Sequence, residues 1–297
     1  MARRVPAGLQ PLLDELYDGY NVADSAADPV QFVWRYDDAD DREVVALIAA
    51  SLAFGRLASV LATIERVLGV LGPSPAAWVR DMDLADARAR LRPIVHRWTR
   101  GDDIAALLLV TRELRRRHGS LERCFVAHDD PAAPDVAPGL EGFVREACAV
   151  DVSAAYAPGR VRRPGVAYFF PRPGAGSACK RLNLFLRWMV RRDAIDPGGW
   201  TQVSPSRLVI PLDTHTIRVG RCLRLTSYVS PGWKMAADIT ATLRRFDPAD
   251  PVRYDFSLCH MSMMGACGWG RAAGSAQCPL AAFCRPLRPA RGRAVTR

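Results

Sequence analysis

Leu57, Val60, Leu61, Ile64, Val67, Leu68 and Leu71 recur at steps of three and four residues, the period that lines up apolar side chains on one face of an α-helix. The same spacing returns at Ile104, Leu107, Leu108, Thr111 and Leu114, and again at Leu182, Phe185, Leu186, Met189 and Val190. No set of segments carries the alternation of half-buried strands, and no internal repeat is present. A chain built from helical stripes must bury them against one another, so the expected fold is all-α, with about ten helices. Its 297 residues suffice for one large domain or two lobes with a sizeable core.

The remaining helices are read from their ends. An amphipathic segment covers 9–20. Asp40, Asp41 and Glu43 place acids at a helix start, where the dipole favours them, and the apolar run 44–54 reads as a helix buried on nearly all sides until Gly55. Gly72-Pro73 stops the next helix. Short helices and turns fill 74–103, with a basic-aromatic cluster at His96-Arg97-Trp98. Arg112, Arg115, Arg116 and Arg117 are expected to face solvent, where they are available to phosphate. A helix near 140–150 precedes a proline- and glycine-rich approach over 151–176. Further helices are expected from Asp213 to about residue 223, over about 231–246 and within 254–264.

Charge narrows the partners. The net charge is +10, and residues 285–297 contribute five arginines and no acid, the pattern of a disordered basic tail. Such a balance points to nucleic acid, an anionic membrane surface or an acidic protein. No run approaches the ~20 apolar residues of a membrane span, so a cytoplasmic protein is expected, its cysteines reduced. Of 41 basic residues, two are lysine (Lys180 and Lys234) and the other 39 are arginine. A guanidinium cannot supply a nucleophilic amine at neutral pH, which singles out the lysines.

Lys180 follows Gly174-Ala175-Gly176-Ser177-Ala178-Cys179 and enters a helix whose other face carries Asn183 and Arg187. It is either an ordinary surface lysine or an amine whose pKa is lowered by the positive helix end and nearby arginines. The glycine loop ahead of it offers N–H groups to a phosphate. Asp213, after Ile210-Pro211-Leu212, starts another helix. It is either a plain N-cap or a cap whose second oxygen is free to stabilise charge in a cleft. His215 is expected to be structural.

The glycine loop and Lys180, followed by Pro211-Leu212-Asp213-Thr214-His215-Thr216-Ile217-Arg218-Val219, resemble the helix-hairpin-helix, glycine/proline-aspartate superfamily of DNA glycosylases. Endonuclease III and the 8-oxoguanine glycosylases belong to it. The likeness is specific over 174–265 and diffuse before it. Ser-Ala-Cys-Lys-Arg-Leu-Asn-Leu-Phe-Leu-Arg-Trp-Met-Val-Arg at 177–191 and Ile-Pro-Leu-Asp-Thr-His at 210–215 also resemble a widespread bacterial family of uncharacterised proteins, over most of 35–265.

The resemblance implies a two-lobed, all-α glycosylase fold. One lobe would span 42–192, with the hairpin and Lys180; the other would combine 1–41 and 205–284, with Asp213. It implies base-excision repair of double-stranded DNA by a monomer: glycosylase with AP-lyase activity on an oxidised purine such as 8-oxoguanine. In that chemistry Lys180 attacks C1′ of an extruded nucleotide and Asp213 stabilises the sugar cation. Gly174, Gly176, Ser177 and Arg181 would grip the DNA backbone. Asn183, Arg187, Trp98 and Phe54 would line the cleft or base pocket, with Trp188 and Trp200 as further stacking candidates. The alternative is a non-catalytic nucleic-acid-binding module that retains the fold.

Two features depart from endonuclease III. Ser177, Ala178 and Cys179 intervene between the second glycine and the lysine, and the lysine-to-aspartate gap is longer. The archaeal 8-oxoguanine glycosylases share both departures. The cysteines Cys259, Cys267, Cys278 and Cys284 also lack the Cys-x-x-Cys pair of that enzyme's [4Fe–4S] site, with Ser275 standing where a member of the pair would be. No metal or other cofactor is therefore expected, and the cysteines are expected to pack as small apolar groups.

Overall fold

The computed structural model describes residues 8–23, 27–156, 165–263 and 278–284. The basic tail and Cys267 lie outside them. The described residues are mostly helical, as the periodicity predicts, with twelve α-helices and one two-stranded ladder of two residues per strand.

Helix α1 (Leu9–Tyr20) leads to a 3₁₀ segment, Pro29–Arg35, whose first turn is capped by Asp28 accepting from the Val30 N–H at 3.0 Å. Helix α2 (Ala39–Leu52) is the centre of the molecule. Asp38 caps it through the Asp40 and Asp41 N–H groups, and every residue from Glu43 to Leu52 is buried. A fully buried Leu or Val contributes about 1.5–3 kcal/mol, so this helix holds the layers around it together. It packs on Pro29–Arg35, on α3 (Leu57–Leu71), on α4 (Pro75–Asp81) and on α9 (Lys180–Val190).

Helix α5 (Leu84–Leu91) lies on α6 (Gly101–His118), which also supports α7 (Leu121–Val126) and α8 (Ala137–Ala149). Between α5 and α6, β1 (Val95–His96) and β2 (Thr99–Arg100) pair antiparallel around the tip Arg97-Trp98. Downstream, α10 (Thr214–Cys222) packs on α12 (Asp255–Met263), α12 on α1, and α11 (Trp233–Leu243) completes this side through Ile239 against Gly220.

Buried polar groups pin these layers. Glu43 accepts from the Leu121 and Glu122 N–H groups at 2.8 Å, from Trp200 Nε1 at 3.0 Å and from Arg115 at 2.7 Å. Burial pushes the Glu43 carboxyl upward, and these donors oppose it. Arg115 therefore does not face solvent: a buried carboxylate turns it inward, where it also pairs with Asp40. Trp188 and Trp200 are likewise core residues and not stacking platforms. The cysteines are not all reduced thiols, because Cys222 at the end of α10 is joined to Cys284 in the turn at 278–284, with Cα atoms 4.9 Å apart. Among the described residues, no single helix is long and apolar enough to cross a membrane.

Candidate active-site cleft

The start of α9 and the start of α10 meet. Lys180 Nζ lies 3.8 Å from Asp213 Oδ2, with the lysine side chain 37% and the aspartate 16% exposed. The other lysine, Lys234, is exposed on α11. The pair borders a cavity of about 590 Å³. Ala53, Phe54 and Gly55, after α2, line it together with residues 211–217. Asp255, Phe256, Cys259 and His260 of α12 also line it.

Asp213 satisfies both readings of its position. Oδ1 accepts from the N–H groups of His215 and Thr216, each at 2.8 Å, and caps α10. Oδ2 is left to face Lys180 and to accept from the Cys259 thiol at 3.4 Å. Burial opposes ionisation, but the Lys180 ammonium, the Thr216 N–H, His215 and the Cys259 thiol outweigh it and hold the carboxyl below the usual range. Burial and the facing carboxylates of Asp213 and Asp255 raise Cys259 well above ordinary thiols, so it stays protonated and donates. His215 is braced by Ser262, 3.1 Å from its Nδ1, in keeping with a structural role.

The approach to Lys180 explains the three extra residues. Gly176 is left-handed (φ 82°), the Ser177 hydroxyl accepts from the Cys179 N–H at 3.2 Å, and Cys179 is itself left-handed (φ 48°) as the N-cap of α9. A left-handed non-glycine residue costs about 1 kcal/mol, and here it sits directly before the candidate nucleophile. Its side chain is anchored, with Sγ donating to the Pro171 carbonyl at 3.3 Å.

The phosphate seat expected at the hairpin is not open. The Gly174 N–H donates to Glu141 Oε2 at 3.0 Å, those of Ala175 and Ser177 to the Arg172 carbonyl, and that of Gly176 to the Pro173 carbonyl. The Gly176 carbonyl in turn accepts from the Trp233 N–H, docking the hairpin on α11. Arg181, expected on the DNA backbone, folds inward instead. Its guanidinium lies 3.8 Å from the Tyr168 ring centroid and donates to the Tyr168 carbonyl. Burial lowers its pKa, which an exposed phosphate ligand would not experience.

Asn183 and Arg187 sit deeper than their shared polar face suggested. Asn183 is buried, and its Nδ2 donates to the Ala178 carbonyl at 3.1 Å; it braces the hairpin and does not line the cavity. Arg187 reaches the cavity floor, 3% exposed, bound to Asp255 Oδ2 at 2.6 Å and to Asp196 Oδ1 at 3.0 Å. Burial pushes Asp255 up to about 6, opposed by Arg187.

Phe54 lines the cavity, and Trp98 stacks behind it at 5.2 Å and 25° while staying 44% exposed. His96 sets this geometry: one ring nitrogen is 2.7 Å from the Phe54 carbonyl and the other 3.1 Å from Thr63 Oγ1. Tyr168 packs edge-on to both rings. Neither Tyr168 nor Glu141 is signalled by local pattern, since each acts across a long sequence separation. Cys259, Asp255 and His260 fall in a segment that the resemblance covers, but without assigned roles. Of the cysteines compared above with the endonuclease III cluster ligands, Cys284 is engaged with Cys222, Cys259 faces Asp213, and Cys267 lies outside the described residues.

Residues 28–264 match the family model described as "Protein of unknown function (DUF2400)", which is most of the chain. The chain belongs to that family. No curated protein and no solved structure matches it.

Proposed function

We propose that this protein is a DNA glycosylase with AP-lyase activity, acting on an oxidised purine such as 8-oxoguanine, on a two-lobed helix-hairpin-helix fold. The observation that carries the reading is the 3.8 Å approach of Lys180 to Asp213 at a cavity of base-accommodating size walled by Phe54. The packing of α1, α10 and α12 as one group and of α2 to α9 as another supports the two lobes. The positive net charge suits a polyanionic substrate.

In this reading an extruded nucleotide enters the cleft with its base against Phe54 and C1′ near Lys180. The ammonium of Lys180 passes one proton through Asp213 Oδ2 to the departing base, which returns Asp213 to its ionised form, and the amine lone pair forms the C1′–N bond. The glycosidic electron pair leaves with the base, which takes up a proton. Asp213, ionised in the resting state, stabilises the positive charge that develops on the sugar. The C1′–O4′ bond then breaks as O4′ takes a proton from the C1′-bound nitrogen, which opens the ring and leaves the iminium. Loss of a C2′ proton then expels the 3′-phosphate, and water hydrolyses the imine to free Lys180. Arginine could not form that imine, which fits a lysine persisting in a chain that otherwise uses arginine.

Duplexes carrying a single 8-oxoguanine or a single abasic site test this. The wild-type chain should cleave both, Lys180→Gln should lose cleavage entirely, and Asp213→Asn should slow it about 10²–10³-fold. Salt-sensitive binding that Lys180→Gln leaves unchanged, with no cleavage of either duplex, would identify a binding module instead.

A further inference from the structure

Away from the cleft, four chemistry-bearing side chains converge where α6 ends and α7 and α8 run past it. His118 is the last residue of α6, Cys124 lies in α7, His128 follows α7, and Glu146 lies in α8. One ligand atom each from His118, Cys124 and Glu146 falls within a common 4.8 Å. His118 Nε2 is 2.8 Å from Glu146 Oε2, and His128 Nε2 contacts the other oxygen, Oε1.

We propose that His118, Cys124 and Glu146 form a divalent-cation site of the zinc class, with His128 as the partner that orients the carboxylate. The donor set is a borderline-soft mixture of imidazole, thiolate and carboxylate. That set suits Zn²⁺ or Co²⁺ and excludes Mg²⁺ and Ca²⁺, which take oxygen ligands. Bonds of about 2.0–2.3 Å in a tetrahedron separate ligand atoms by roughly 3.3–3.8 Å, so the three need only small adjustments. Glu146 Oε2 and His118 Nε2 give up their mutual hydrogen bond and turn to the metal, while Glu146 Oε1 keeps its bond to His128. Cys124 binds as thiolate and releases its proton to solvent. The His118 and Glu146 side chains are each 21% exposed and Cys124 is fully buried, so solvent reaches the cluster from the His118 and Glu146 side.

The surroundings are built for this arrangement. Arg145 Nη2 lies 3.5 Å from His128 Nδ1, and an arginine can only donate. Nδ1 is thus the acceptor and Nε2–H points at Glu146, the outer-partner geometry of metal-binding carboxylates. Gly142, one turn before Glu146, lets His128 approach α8: a Cβ there would stand 2.1 Å from the His128 Cβ. Glu43 fixes the α7 N-terminus through the Leu121 and Glu122 N–H groups, which holds Cys124 on a rigid element. The site is independent of the cleft chemistry and would cross-link α6, α7 and α8.

The full chain, stripped with chelator, is titrated with Zn²⁺ alone and with Co²⁺ alone. The expected result is one tightly bound equivalent and a thiolate-to-cobalt absorption band. Cys124→Ser should abolish the band, and Cys259→Ser should leave it intact. His118→Gln should weaken binding at least 100-fold and His128→Gln about 10-fold. Metal at about a hundredfold excess over Kd should raise Tm by about 5 °C, a shift absent in His118→Gln. Circular dichroism of the stripped variants establishes that each is folded, and His118→Gln serves where Cys124→Ser is not. Absence of a bound equivalent, or binding and a cobalt band that survive both Cys124→Ser and His118→Gln, overturns the proposal.

Discussion

Helix α9 carries cation–carboxylate contacts at both ends. At its start, Lys180 meets Asp213 at 3.8 Å with more than a third of the lysine exposed. About two turns on, Arg187 and, just beyond the helix, Arg191 are 3% exposed and held by Asp196 and Asp255, and by Asp193, Asp196 and Asp250 respectively. The arginine end gains from planar, multiply bonded geometry in a dry environment, where losing one partner leaves a buried charge uncompensated. The lysine end has neither the geometry nor the burial of a structural pair. Its long contact at a cavity leaves the amine accessible, which a fold-stabilising ion pair has no need to do. The cations at the two ends of this helix are thus told apart by burial and by residue type.

Arg187→Met should be the most damaging change at either end. It leaves the buried Asp255 without its guanidinium, while Asp196 keeps only Arg191, and urea denaturation should show a loss of about 3–5 kcal/mol. Asp213→Ala removes an N-cap and the partner of Lys180, and the same measurement should give about 1–2 kcal/mol. Lys180→Gln should cost under about 1 kcal/mol, because the contact is long, the lysine is partly exposed and the Cys259 thiol still donates to Asp213 Oδ2. A stability loss for Lys180→Gln as large as that for Arg187→Met would erase the distinction between the two ends.

The pH dependence separates them further. The Asp213 carboxyl is depressed in the folded state, so its ionised form stabilises the fold at pH values above the ordinary aspartate range of about 3.9. That contribution disappears as pH falls through the depressed value. The stability difference between wild type and Asp213→Asn, measured by denaturation at descending pH, should therefore be largest near neutrality and shrink in acid. A difference that grows in acid would mean that Asp213 is not held ionised by its surroundings.

Much of this architecture is legible locally. The stripe from Leu57 to Leu71 and the entry of α9 at Lys180 follow from spacing, and α10 begins where Asp213 signals a cap. What pattern cannot reveal is the partner that engages a polar group from far along the chain. Gly174 to Ser177 have the composition of an anion seat, but Glu141, 33 residues before Gly174, takes the Gly174 N–H, and the local turn on Arg172 and Pro173 takes the rest. Arg181 has the charge of a phosphate ligand, but Tyr168, from an irregular stretch without periodicity, draws it inward. Arg115 is on the helix face that the stripe predicts to be solvated, and a buried glutamate on α2 reverses it. Asp213 shows the opposite case: the cap and the cleft carboxylate are one residue, with one oxygen for each task.

Borohydride reduction during incubation with abasic or 8-oxoguanine duplex captures an imine as a stable adduct, and the scarcity of lysine makes its site easy to assign. Peptide mass mapping should place the adduct on Lys180, with none on Lys234 and none formed by Lys180→Gln. An adduct on another amine, or no adduct with either duplex, would contradict the assignment of Lys180 as the nucleophile.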